Sequence, residues 1–266
     1  VFKKIRKQFK GTPYAIRGDF GLGKAYLIQN KTDNALEILT AIPQRYPGHP
    51  FLRVVYLSLG DFYQAQKQWE NAITALNNIL ADSLRDHTYK TALRQLINIY
   101  ERVGVIDRAL MLTRQYLREF PNDDRDLGLR IKIGGFLRAT GQYQAAIRHY
   151  RSLKPLASGE SVAEIQYYIA ESYFEAGQFE KAIVEYLRLK YFTIPTRQPW
   201  RTTAIYKAGI CNMRIKKYQR ARELFQLIVR QEGANSVFGK SAAQKIREID
   251  HILDQSNRET LQVTKG

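Results

Sequence analysis

Residues 167–189, YYIAESYFEAGQFEKAIVEYLRL, set apolar side chains at helical spacing on both sides of one glycine. Ile169, Ala170 and Tyr173 fall on one stripe, Gly177 interrupts the run, and Ala182, Tyr186 and Leu189 form a second stripe. That is the pattern of two amphipathic helices joined by one small turn. Aligned on the small residue and aromatic of the first helix and the alanine of the second, five further windows fall into register. Successive windows begin 37, 37, 37, 36 and 39 residues apart. A fixed period of this length constrains the whole chain to stacked copies of one supersecondary unit.

The six windows are 16–49, 53–86, 90–123, 127–160, 163–196 and 202–235. The first holds Leu22, Gly23 and Tyr26, then Ala35, Leu39 and Ile42; the last holds Ile205, Ala208 and Gly209, then Ala221, Phe225 and Ile228. A glycine or alanine in the first helix lets the second approach closely, and large residues around it fill the contact. Each pair leaves an apolar face for the next pair to cover, so the ends require polar caps. Residues 238–255 fit that role, with Ala243, Ile246, Ile249 and Ile252 expected inward and Lys240, Lys245, Arg247 and Asp250 outward. Residues 1–12 read as the remnant of a preceding repeat helix in a trimmed chain, and 256–266 as a frayed tail. The long junction 190–201 contains Pro195 and Pro199, where a helix must stop. Its Tyr191, Phe192 and Trp200 are expected chiefly to plug the gap between helices, with a binding hot spot as the alternative.

These units resemble tetratricopeptide repeats, whose pattern runs W-x-x-L-G-x-x-Y and then alanine, aromatic, alanine and proline. The resemblance covers about nine-tenths of the chain. It implies an all-α fold: a right-handed superhelical α-solenoid of helix-turn-helix repeats with a C-terminal capping helix. The spacing exceeds the usual period of about 34 residues and is similar to that of bacterial envelope repeat proteins. A periplasmic or envelope-associated setting is the favoured expectation and a cytoplasmic one the alternative.

Charge is unevenly spread. The net charge is +17, yet residues 25–185 carry 19 basic and 18 acidic groups. Residues 1–24 hold seven Lys/Arg against one Asp, and 186–250 hold 14 against four. Basic ends suit nucleic acid, an anionic membrane surface or an acidic partner, and equally a solvated outer face. The single cysteine, Cys211, excludes an intramolecular disulfide. No window approaches the roughly 18 uncharged apolar residues of a membrane-spanning helix.

The motifs closest to known chemistry read more simply as structure. GDFGLGKA (18–25) fits a phosphate loop until its last place, where Ala25 lacks the hydroxyl that magnesium needs. Gly23 is instead the small packing residue of the first unit. PNDDRDLG (121–128) has the carboxylates of a calcium loop without its closing glutamate, and reads as a turn whose acids cap the next helix. His49, His87, His149 and His251 lack the spacing of metal pairs, and Cys211 falls where small buried residues belong. No catalytic arrangement, cofactor or metal is expected.

The resemblance implies that the first helices line a concave groove. Carried over, the groove-facing residues are Arg94, Asn98 and Arg102 in the third unit and Lys132 and Arg138 in the fourth. The fifth adds Glu164, Tyr167, Tyr168, Glu171, Phe174 and Glu175, and the sixth Tyr206, Lys207 and Arg214. Arg94 and Asn98 match the first pair of the family's carboxylate clamp, but Lys132, Glu164 and Tyr168 depart from its remaining positions, so that clamp is not expected. The expected function is a non-enzymatic scaffold that binds a protein or peptide segment in the groove. Binding of RNA, or docking on an anionic membrane or cell-wall surface, is the alternative. Oligomeric state is left open.

Overall fold

A computed structural model describes residues 8, 9, 12, 14–121 and 126–263, with side chains described as far as 255. The described residues form thirteen α-helices, two short 3-10 turns and no strand. The chain divides into two compact units, Val1–Pro121 and Asn122–Gly266.

The first unit contains three helical hairpins: α1 (Ala15–Ile28) with α2 (Thr32–Arg45), α3 (Leu52–Ala65) with α4 (Trp69–Leu80), and α5 (His87–Arg102) with α6 (Ile106–Glu119). Successive hairpins meet through α2 on α3 and α4 on α5. Ile16, Leu39, Ile42, Val55 and Leu59 make a shared core, closed from outside by Phe20, Tyr46 and Phe51. Asp19 is nearly fully buried beside it and accepts from the Tyr46 hydroxyl at 3.0 Å and from Arg45 at 3.4 Å.

The second unit contains α7 (Asp126–Ala139) with α8 (Tyr143–Leu153), α9 (Glu160–Glu175) with α10 (Phe179–Arg188), α11 (Trp200–Arg214) with α12 (Tyr218–Glu232), and a long last helix α13 (Val237–Val263) against α12. The core of its last part gathers Ile205, Ala221, Phe225 and Ile228 with Ala242 and Ile249 of α13.

One rule of volume holds each hairpin together. A Cβ added to Gly23 would lie 2.6 Å from the Leu39 side chain, one on Gly60 2.7 Å from Leu76, and one on Gly209 2.7 Å from the Phe225 ring. A Cβ on Gly134 would enter the Tyr150 ring. In the fifth hairpin Ala170 stands at the glycine register and Tyr186 at the large-residue register. The third hairpin inverts the order, with Ile97 at the small position and Thr113 at the large one, both buried. The second helices share one further small residue: Ala35, Ala72, Ala109, Ala146, Ala182 and Ala221 are all fully buried.

The turns inside the hairpins also repeat in detail. Asn30, Lys67, Gly104, Gly141, Gly177 and Lys216 occupy the same register, and all six have φ between 57° and 79°. In each turn the next amide returns to a carbonyl five residues earlier, as in Lys67's neighbour Gln68 to Tyr63 at 2.8 Å and Lys217 to Asn212 at 2.8 Å. This is the Schellman closure of a helix end, which needs one left-handed residue. Glycine adopts it without penalty; Lys67 and Lys216 do so against the repulsion of their own Cβ.

The last helix differs from its sequence reading in two ways. Its buried stripe runs through Ala242, Ile246, Ile249 and Leu253, so Ala242 and Leu253 replace Ala243 and Ile252 as the inward residues. Asp250, expected outward, meets Arg222 of α12 at 2.7 Å. The backbone also stays helical to Val263 rather than fraying from 256. No proline or glycine interrupts that segment before Gly266, and its Arg, Glu, Leu and Gln favour helix. The expected helical remnant at 1–12 lies almost entirely outside the described residues, as do Asn122–Arg125 of the proposed cap turn. Asp126, at the start of α7, does pair with Arg130 one turn on, at 2.8 Å.

Candidate interaction surface on the first helices

GDFGLGKA lies inside α1, so its glycines form no loop: Gly23 packs on Leu39 and the Lys24 ammonium reaches Ser58 on α3 at 3.4 Å. Cys211 is fully buried on α11, and burial followed by the nearby Glu171 carboxylate pushes its thiol up to about 12. Such a thiol is not ionised at neutral pH and is no nucleophile. Among the described residues, no three or more His, Cys, Asp or Glu side chains gather as a metal site.

In the first unit, Arg94, Asn98 and Arg102 follow one another along α5. Arg94 is half-buried, Asn98 exposed, and the exposed Arg102 guanidinium sits over the Trp69 ring of α4 at 5.5 Å. The firmest ionic contact here was not visible in the sequence. Arg53, nearly buried on α3, donates to Asp82 at 2.7 Å, to the Leu84 carbonyl at 3.0 Å and to Asp86 at 2.6 Å, pinning the loop between α4 and α5. Asp86 also caps α5 by accepting from the Tyr89 amide at 2.9 Å. The signal for that cap, an aspartate three residues before a buried tyrosine, was present; nothing in the spacing pointed to Arg53.

In the second unit, the residues expected on the groove converge on one buried carboxylate. Glu171 of α9 is nearly buried, with its carboxylate 3.1 Å from the Lys207 ammonium of α11 and 3.9 Å from the Arg138 guanidinium of α7. The Tyr186 hydroxyl donates a short hydrogen bond to it. Burial, then the Glu171 charge, raises the Tyr186 and Tyr167 hydroxyls above the ordinary tyrosine range, so both stay protonated and able to donate. Arg138 pairs through two nitrogens with Glu175, at 2.9 Å from Nε to one oxygen and by a shorter contact to the other. Burial opposes the guanidinium charge, but hydrogen bonding and attraction to Glu175 outweigh it and hold its pKa above the ordinary value. Three helices are thereby tied to one acidic centre.

Aromatic rings fill the space around that centre. Tyr167 packs against Tyr186 at 5.7 Å and Trp200 at 5.2 Å between centroids, and Tyr168 stacks on Tyr150 at 5.6 Å. Arg138 lies over Tyr168 at 5.3 Å and Lys207 over Phe174 at 4.8 Å. Trp200 is the plug expected at the junction: it touches both tyrosines, and its indole donates to Glu160 at 3.1 Å. Tyr191, by contrast, is 79% exposed. Tyr206 turns to the core of the sixth hairpin, edge-on to Phe225 at 5.2 Å.

The residues expected on the groove therefore divide. Tyr167 and Glu171 face inward and are satisfied by neighbours, and Tyr206 is largely a packing residue. Tyr168, Phe174, Lys132 and Glu164 are half-buried, and Glu175 and Arg214 exposed. Simultaneous replacement of Tyr167 and Tyr168 would disturb the core as well as the surface, so it is no clean probe of binding.

Models of the tetratricopeptide repeat match residues 19–49, 55–83, 129–191 and 203–232, more than half of the chain. The third hairpin, with its inverted pair Ile97 and Thr113, lies outside the matches. No curated protein matches the sequence. Several solved structures share the fold. MamA from Desulfovibrio magneticus RS-1 is 18% identical with a TM-score of 0.53, over 70% of this chain and 97% of that one. A putative kinesin light chain from Podosopora anserina with nearly identical TPR-like repeats gives 18% and 0.53, over 71% and 100%. A signal transduction ATPase with numerous domains and a tetratricopeptide repeat sensor, from Pyrococcus horikoshii, gives 14% and 0.62, over 94% of this chain but 40% of that one. With repeat models across five of the six windows in full or large part and the same helical-repeat fold, the chain belongs to the tetratricopeptide repeat family, whose members are generally non-enzymatic scaffolds for protein–protein interaction.

Proposed function

We propose that the first-helix face of the second unit, formed by α7, α9 and α11, docks a segment of a partner protein. The observation that carries this reading is the fixing of that face by its own buried charges. Arg138 and Lys207 are both anchored to Glu171, and each lies over a ring, Tyr168 or Phe174, that remains half open to solvent. A surface whose side chains are already immobilised loses little conformational entropy on binding. Partly exposed aromatics beside charged groups supply both apolar area and orientation, the combination that dominates binding energy at interfaces.

The test uses variants that leave the inner network intact. The protein is probed with an array of short randomised peptides, and the same array is read with Phe174→Ala combined with Arg214→Glu. Binding should fall at least about tenfold, the effect of losing one well-packed contact residue, while the thermal unfolding profile is retained. Equal peptide binding by the variant, or no binding by the parent protein, overturns the reading.

A further inference from the structure

Glu164 lies on α9 one turn before Tyr168 and is half-buried. Among the described residues, no hydrogen bond or ion pair engages its carboxylate. The chain has 42 lysines and arginines against 25 acidic residues, so cations are not scarce. Those nearby have other partners: Arg138 is held by Glu175 and Glu171, and Lys207 by Glu171. The charge that acts on Glu164 is that of a second carboxylate, Glu160, whose oxygen is occupied by the Trp200 indole at 3.1 Å and the Gln198 amide at 3.1 Å. Burial, then repulsion from Glu160, raises the Glu164 pKa above the usual carboxylate value.

Behind it, Tyr150 crosses the space left by Gly134, and its hydroxyl comes within 3.9 Å of where a Cβ on Gly135 would stand. That hydroxyl is fully buried, with the Arg138 guanidinium acting on it as a neighbour. The Glu164 carboxylate thus stays unmet by the protein itself. One turn on along α9, Tyr168 stacks on Tyr150 and stands edge-on to Trp200 at 6.0 Å.

We propose that Glu164, one turn before the half-open ring of Tyr168, receives a lysine or arginine side chain of the docked partner segment. The inference rests on the docking reading above and names the chemistry of what docks. A long basic side chain lays its methylene stem on aromatic surface while its head meets the carboxylate. A charge-assisted hydrogen bond to a half-desolvated acid is stronger than one in open solvent. An acidic residue at the same place would face Glu164 and Glu160 together.

The peptide array also decides this point. Peptides retained by the parent protein should be enriched in lysine or arginine at one position. Glu164→Gln, which keeps the shape, should remove that enrichment and weaken the selected peptides about tenfold, while Glu164→Lys should turn the preference toward aspartate and glutamate. Circular dichroism melting of both variants establishes that they fold. Retained peptides with no basic preference, or a preference unchanged in Glu164→Gln, overturn this inference and leave the docking face standing. An array on which nothing is retained overturns both.

Discussion

The Lys207 ammonium of α11 reaches 3.1 Å to the Glu171 carboxylate of α9, joining two consecutive hairpins through a charge that is almost wholly removed from water. A buried ion is tolerable only when paired and hydrogen-bonded, and Glu171 satisfies that with Lys207, the Tyr186 hydroxyl and, more distantly, Arg138. Removing one partner leaves the other uncompensated. Lys207→Met should therefore destabilise the second unit by about 3 kcal/mol. The double variant Lys207→Met with Glu171→Leu should recover part of that loss. Urea unfolding of both single variants and the double variant measures this; strict additivity of the two changes would refute the coupling.

Gly134 faces the Tyr150 ring so closely that an added Cβ overlaps it. Gly134→Ala is expected to cost about 2 kcal/mol through overpacking. Adding Tyr150→Leu, the size found opposite Gly23 and Gly60, should relieve it. Thermal unfolding of the single and double variants provides the comparison.

Lys67 and Lys216 hold the left-handed register that Gly104, Gly141 and Gly177 fill in other turns. Lys67→Gly and Lys216→Gly should each stabilise the fold by about 0.5 to 1 kcal/mol, and Gly141→Ala should destabilise it by a similar amount. Chemical unfolding midpoints give the sign directly. The glycine gain is the net of relieved strain and added freedom in the unfolded chain.

The pH response of the first unit should pass through Arg53. Its hydrogen bond holds Asp82 below the ordinary value of 3.8; for Asp86, burial pushes upward, but the Tyr89 amide and Arg53 prevail and its pKa is also lowered. With folded values below unfolded ones, the unfolded state binds more protons in this range. The stabilisation is complete above the unfolded value and disappears as pH falls through the folded ones. Arg53→Met should flatten this part of the acid-unfolding profile, monitored by circular dichroism between neutral pH and the acid limit.

Glu164 responds in the opposite sense. Its raised pKa means that the folded state binds more protons than the unfolded one between the two values, so stability falls as pH rises through that interval. Glu164→Gln should accordingly be at least as stable as the parent protein at neutral pH, with the difference vanishing in acid. A clear loss of stability at neutral pH would contradict this. A residue that weakens the fold while offering a charge to solvent is the usual trade between stability and binding.

The period, the small residue of each first helix and the alanine of each second helix were legible in the sequence, because they follow from the volume available between two helices. The third hairpin was legible through its register even though Ile97 and Thr113 exchange sizes. The stripe of α13 was misplaced by one residue at two positions because Ala242 and Ala243, and Ile252 and Leu253, are apolar neighbours, which leaves periodicity with two equal solutions. The candidate site was legible as a set of residues but not as an arrangement. Which of Tyr167, Tyr168 and Glu171 turn inward depends on where Lys207 and Arg138 arrive from helices 36 and 33 residues away in sequence. Arg53 escaped notice for the same reason, since its partners lie across a loop with no periodicity.

The inverted pair in the third hairpin bears on how such a chain can change. Ile97 is compatible with Thr113 as Gly134 is with Tyr150, but an exchange of single helices between these hairpins would set isoleucine against tyrosine in one product and glycine against threonine in the other. One product would be jammed and the other hollow. Whole hairpins carry both halves of the match with them, so the unit of viable recombination is the hairpin, and crossovers are tolerated at the junctions between hairpins rather than at the turns within them.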